Sequence, residues 1–231
     1  MSYWKIAGVV AVAAAGAMGA IFGAKRKKSA SGTQTETASP EVKSLGRFVV
    51  WGRPDSGKTT FIFRLLGKEP PQEKVVTDSK ERHPKIKLGF LKDGPFMVDE
   101  IVDMPGNLDR RADWIERVLE ANHAFYLVNL EKLDDSEYLT QIRLDIKETV
   151  LALEQANKKN KKINLIATHL DTSFWRDIEK SRVNNAMNED MRIREVREAR
   201  GGVKGEMYSV NLMDKKDFEK LMQDVVNDIS N

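Results

Sequence analysis

The octapeptide Gly52-Arg53-Pro54-Asp55-Ser56-Gly57-Lys58-Thr59 constrains this chain more than any other feature. It satisfies the pattern G-x-x-x-x-G-K-[ST], which carries a mechanism only between a strand and a helix. Arg47–Trp51 (RFVVW) reads as a short buried strand and Lys58–Leu66 as a helix, so that context is met. Glycines let a backbone wrap a phosphate chain with its amides turned inward. The amides from Asp55, Ser56 and Gly57 through Thr60 would line such a cradle, at a helix N-terminus that adds positive potential. Lys58 would reach the outer phosphates, and the Thr59 hydroxyl would bind Mg²⁺.

The pattern after residue 45 alternates. Lys85–Leu91 and Phe96–Val102 read as strands joined by Asp93-Gly94, a hairpin signal. Leu108–Asn122 reads as a helix, Ala124–Leu130 as a strand, Ser136–Asn157 as a long amphipathic helix and Ile163–Thr168 as a strand. Trp175–Arg200 reads as mostly helical, Glu206–Asn211 as a strand and Lys215–Ile229 as a closing helix. The expected fold is α/β: a mostly parallel central sheet with one antiparallel hairpin and helices on both faces. With no cysteine, disulfides, thiolate metal sites and a cysteine nucleophile are excluded.

Three strand ends add chemistry. Asp103-Met104-Pro105-Gly106 closes an apolar strand; its aspartate can hold Mg²⁺ through water, and the Gly106 amide can touch a terminal phosphate. Thr168-His169-Leu170-Asp171 closes another, and a carboxylate there can accept two hydrogen bonds from guanine, a pair that adenine does not offer. Ser209-Val210-Asn211 ends the last strand, where a backbone amide would meet the guanine O6. Arg110 and Arg111 lie near enough in sequence to approach a phosphate, although a solvated helix start is the plainer role.

In this order and spacing the four pieces resemble the Ras-like P-loop GTPases, over about residues 47–231. The phosphate loop is similar to that of the Era-like GTPases. The run Asp55-Ser56-Gly57-Lys58-Thr59, then Phe63-Arg64-Leu65-Leu66, resembles the beta subunit of the signal-recognition-particle receptor, as does Thr77-Asp78-Ser79. The resemblance implies a P-loop GTPase domain in which Thr77 joins Thr59 and Asp103 around Mg²⁺. It implies that Asn107, where such proteins often have Gln or His, orients the attacking water. His169 stands in place of a lysine whose stem covers the base; an imidazole can stack there. Asp55 occupies a place where some Era-like proteins help bind K⁺, although an Asx turn is the plainer role. GTP and GDP are the implied ligands.

Before this domain, Ile6–Ala24 is a 19-residue run without a charged side chain, followed by Lys25-Arg26-Lys27-Lys28. As a helix it spans about 28 Å, close to hydrocarbon thickness. Charge after the run rather than before it argues against a cleaved signal peptide and holds that end in the cytoplasm. We therefore expect an anchor with basic flank over 1–28, a single transmembrane helix in the lipid bilayer, a flexible linker over 29–44 and a cytoplasmic domain over 45–231. Gly19 and Gly23 form a small-residue pattern that an alanine- and glycine-rich span also produces by chance. The net charge of +3 comprises +4 over residues 1–45 and −1 over 46–231, so the domain lacks the basicity expected of a nucleic-acid binder. Three functions stay open: a slow GTPase switch read by a protein effector or activator, a poorly hydrolysing GTP-binding scaffold, and a P-loop ATPase or kinase.

Overall fold

Apolar side chains in the central strands belong alternately to two separate clusters. In β2 (Arg47–Trp51), Phe48 and Val50 join one cluster while Val49 and Trp51 join the other. In β5 (His123–Asn129), Phe125 and Leu127 join the first while Ala124, Tyr126 and Val128 join the second. Such strands must be covered on both faces. In the computed structural model, which describes residues 41–71, 81–105 and 110–230, they are. One face packs on α1 (Lys58–Leu65) and α6 (Lys215–Ser230), through Phe61, Ile62, Leu65, Phe218 and Leu221. The other packs on α2 (Arg111–Glu120), α3 (Ser136–Gln155), α4 (Lys180–Glu189) and α5 (Met191–Glu198).

The sheet has β2 between β4 (Phe96–Asp103) and β5, with β6 (Ile163–Thr168) and β7 (Met207–Ser209) following, all parallel. β3 (Glu81–Leu88) runs antiparallel along the other side of β4, as the hairpin signal requires. Pro84 is tolerated because β3 is an edge strand. β1 (Lys43–Ser44) pairs with β4 in the same register as β2, so the two form one strand interrupted at Leu45-Gly46. Two residues read as linker thus belong to the sheet.

Trp175–Arg200 is mostly helical, as expected, but in two pieces: turns occupy Ser173–Ile178, and α4 and α5 are separated at Asp190. The Asp190 carboxylate accepts from the Arg192 and Ile193 amides and so caps α5, the position aspartate favours. The last strand is shorter than Glu206–Asn211, because the Asn211 side chain accepts from the Met213 amide and turns the chain. Among the described residues no helix is long and apolar enough to cross a membrane; the run 6–24 lies outside them.

Candidate functional site

β2, β5 and β6 end side by side, and the loop 52–57 lies across their ends. Gly52 fits only because it lacks a side chain: at φ 149°, a Cβ would stand 2.6 Å from the Leu127 carbonyl oxygen and 2.9 Å from Ser56 Oγ. Gly57, at φ 86°, begins α1 without a side-chain cap. First-turn amides of a helix have no intrahelical carbonyl to meet. Between the glycines, Asp55 holds φ 62°, a left-handed conformation that aspartate tolerates.

Two buried polar side chains from the strand ends draw the loop carbonyls outward. Asn129 Nδ2 donates to the Asp55 carbonyl at 2.9 Å, and Thr168 Oγ1 donates to the Ser56 carbonyl at 2.9 Å. A planar peptide then turns the Gly57 amide to the opposite side, toward the mouth of the loop. The Gly57 carbonyl accepts from the Phe61 amide as in any helix, so the Lys58 amide faces the same way. This gives a cluster of backbone donors at a positive helix end, suited to an anion. Leu212, beyond β7, packs under Gly57 and limits how far the loop can sink.

Lys58 is 7% exposed, and its Nζ donates to the carbonyls of Gly52 and Arg53, each at 2.9 Å. Burial pushes the ammonium down to about 8, against the opposing pull of Asp103 and Asp55. Asp103 is buried at the end of β4, in register with Val50. Its neighbourhood is fixed by Trp114 of α2, whose indole N–H donates to the Pro105 carbonyl at 2.8 Å. Thr59 and Thr60 are half-buried in the first turn of α1. Asp103 and Thr59 offer hard oxygen donors of the kind Mg²⁺ takes. Among the described residues there is no group of three or more His, Asp or Glu able to hold a metal alone.

The remaining expected residues divide. Ser56 is fully buried, with its hydroxyl turned toward Gly52, its amide donating to the Arg53 carbonyl at 3.2 Å and its carbonyl accepting from Thr168, so it supports the loop from within. His169, at φ 58°, is half-buried, and its Nδ1 lies 2.9 Å from Thr168 Oγ1. The Thr168 proton is committed to the carbonyls of Ser56 and Val128, which assigns the shared proton to Nδ1 and leaves Nε2 as acceptor. Burial holds this imidazole below its ordinary value, against the pull of Glu131, Asp171 and Asp55. Asp171 is exposed beyond the end of β6. In the stretch Ser209-Val210-Asn211, from which one backbone amide is expected near a base, the Val210 amide donates to the Ala167 carbonyl. The Asp55 carboxylate meets Lys132 Nζ at 3.1 Å. Thr77, Gly106 and Asn107 lie outside the described residues.

Of the two arginines, Arg110 fits the expectation of a solvated helix start and Arg111 does not. Arg110 is exposed beside Asp113. Arg111 is turned toward α3, where its guanidinium meets Asp145 at 3.0 Å and Glu148 at 3.0 Å. Asp145 is 1% exposed and also takes Arg53 of the loop, at 2.7 Å, and the Tyr126 hydroxyl, at 2.9 Å. Burial pushes its carboxyl up, against the pull of Arg53, Tyr126 and Arg111. A lone aspartate on the apolar face of α3 was the available sequence signal for this centre, and for Asn129 the signal was a polar residue ending an apolar strand.

No family model matches the chain, and no curated protein matches it either.

Proposed function

We propose that this chain is a membrane-tethered GTP-binding switch that hydrolyses GTP slowly to GDP and phosphate and presents its nucleotide state to a protein partner. The observation that carries the reading is the loop 52–57, with carbonyls drawn outward by Asn129 and Thr168 and Lys58 beneath it. Asp103 and Thr59 would hold Mg²⁺, which when bound offsets the phosphate charge. Asp171, exposed past the end of β6, is the acceptor proposed for guanine. His169, neutral near pH 7, would lie beside the base. Residues 6–24 would span the bilayer, with the domain on the cytoplasmic side.

Nucleotide titration tests this. Lys58→Ala should weaken GTP binding roughly ten- to hundredfold, the worth of a charge-assisted hydrogen bond. Asp171→Asn should move preference from guanosine to xanthosine triphosphate. ATP bound as tightly as GTP by the unaltered chain would refute the guanine assignment. Single-turnover hydrolysis should proceed on the order of 10⁻³ s⁻¹ or slower without a partner. Repeating it in K⁺ and in Na⁺ buffer tests the proposed role of Asp55. Retention of the full chain in membranes through alkaline carbonate extraction tests the anchor.

A further inference from the structure

The parallel strands begin at the end of the sheet opposite Lys58. There the loop between α3 and β6 reads Lys158-Lys159-Asn160-Lys161-Lys162. Lys158, Lys159 and Lys162 are exposed and Lys161 is half-buried. Two of these side chains reach the C-terminus of α2: Lys158 Nζ donates to the Leu119 carbonyl at 2.8 Å, and Lys161 Nζ to those of Val118, Leu119 and Ala121. Cations are favoured at that helix end. Together with Glu120, Asn122, Asn157 and Asn160 they line a shallow concavity of about 400 Å³.

The domain's first strand meets the same helix end. The Arg47 amide donates to Asn122 Oδ1 at 2.8 Å, the Asn122 amide donates back to the Arg47 carbonyl at 2.8 Å, and the Arg47 guanidinium donates to the Glu120 carbonyl at 2.7 Å. The start of β2 therefore lies beside the lysine loop. The crowding of positive charge is felt within the fold. Lys161 is pushed down to about 8 by burial, then by Lys158 and Arg47, and His123 is lowered by burial, with Lys161 and Lys162 contributing. The nearby acids are partly committed, since the Glu120 carboxylate meets Arg117 at 2.5 Å; Glu154 is exposed.

We propose that this lysine loop docks the domain against the anionic surface of a phospholipid bilayer, with the strand starts toward the lipid and the Lys58 end toward the cytosol. The proposal rests on the reading of residues 1–28 as an anchor. The chain before the domain selects a lipid surface over other polyanions. Lys25-Arg26-Lys27-Lys28 ends the apolar run, and residues 29–42 are all the sequence between it and β1, at most about 50 Å of contour. A tether of that length would let the lysine loop come to the leaflet, where cations within a Debye length of about 8 Å feel the surface potential. Each favours docking about fivefold on an anionic leaflet. Docked this way, the loop 52–57 stays open to solution.

The chain has no cysteine, so Asn160→Cys provides a single labelling position. The full chain carrying a fluorophore there is reconstituted in vesicles of phosphatidylcholine, with and without phosphatidylserine, and quenched with acrylamide. Label protection of severalfold in the anionic vesicles is expected. It should vanish in high salt and in K159E/K162E, which leaves the α2-capping lysines in place. A label at Lys216→Cys, at the other end of the domain, should stay equally exposed in both vesicles. Equal exposure of the Asn160→Cys label in both vesicle types overturns the proposal. Protection by added RNA or an acidic peptide, with none from phosphatidylserine, also overturns it and reassigns the loop to that partner. Failure to float with neutral vesicles would count against the anchor instead; docking would then still be read from salt-sensitive sedimentation with anionic vesicles, wild type against K159E/K162E.

Discussion

Removing the Asp145 carboxylate should destabilise the domain more than any other single loss among its polar contacts. Three groups depend on it. Arg53 has a side chain only 6% exposed and would keep one side-chain partner, Gln141 Oε1 at 2.7 Å. Tyr126 is fully buried, and its hydroxyl would lose its acceptor. Arg111 is 24% exposed and would keep Glu148, so it can recover in water. Breaking a buried ion pair from one side costs about 3–5 kcal/mol, and an orphaned buried hydroxyl costs about 1–3 kcal/mol. Asp145→Ala should therefore cost about 4–8 kcal/mol, Asp145→Asn about half that because an amide still accepts, and Arg111→Ala about 1 kcal/mol. Replacing the pair by apolar groups, Arg53→Met with Asp145→Leu, should recover most of the loss. Urea denaturation of residues 38–231 measures all four. A cost below about 1 kcal/mol for Asp145→Ala, or a double variant no better than the single one, would refute the reasoning.

Gly52→Ala forces a Cβ to within 2.6 Å of the Leu127 carbonyl at a φ of 149°, so melting should show a loss of about 1–3 kcal/mol together with weakened nucleotide binding. Thr168→Val removes the hydroxyl that meets the carbonyls of Ser56 and Val128; a loss of about 1–3 kcal/mol in denaturation and a weaker grip on inorganic diphosphate should follow. Lys58 has a folded value near 8 against an ordinary 10.5, so between those pH values the unfolded chain binds more protons than the folded one. Nucleotide-free stability should then rise with pH across that window, by up to about 3 kcal/mol, and denaturation of Lys58→Met should lack this increment.

How legible these features were depended on whether each residue's role is local or tertiary. Strand β6 and helix α3 were plain because period and apolar content agree over their whole length. Tyr138, Ile142, Ile146, Val150 and Leu153 recur at helical spacing, and Asp135 caps the helix. β1 escaped because two residues among serines and threonines carry no period; pairing with β4 alone makes them a strand. The break between α4 and α5 escaped because the surrounding residues are good helix formers, while Asp190 offers its carboxylate to two amides ahead of it. The loop 52–57 was readable since glycine spacing is a backbone requirement. The groups that position it were not, because Asn129, Thr168 and Leu212 reach it across gaps of more than 70 residues.

That distribution of supports separates the two halves of the candidate site. Around the loop, Asn129, Thr168, Leu212 and the Arg53–Asp145 pair are buried supports that each fix one side, and none needs a ligand to hold its place. Beyond the end of β6, Asp171 is exposed in a turn where the Thr172 amide donates to the His169 carbonyl at 3.3 Å and the Ser173 hydroxyl donates to the Leu170 carbonyl at 2.9 Å. Thr168 heads the motif read as base recognition, yet its hydroxyl serves the loop. Perturbing it should therefore alter affinity for GTP and for inorganic diphosphate by similar factors, whereas Asp171→Asn should alter only the former. A Thr168 variant that changed base preference while leaving diphosphate binding intact would contradict this division, because the hydroxyl's only described contacts run to Ser56, Val128 and the neighbouring imidazole.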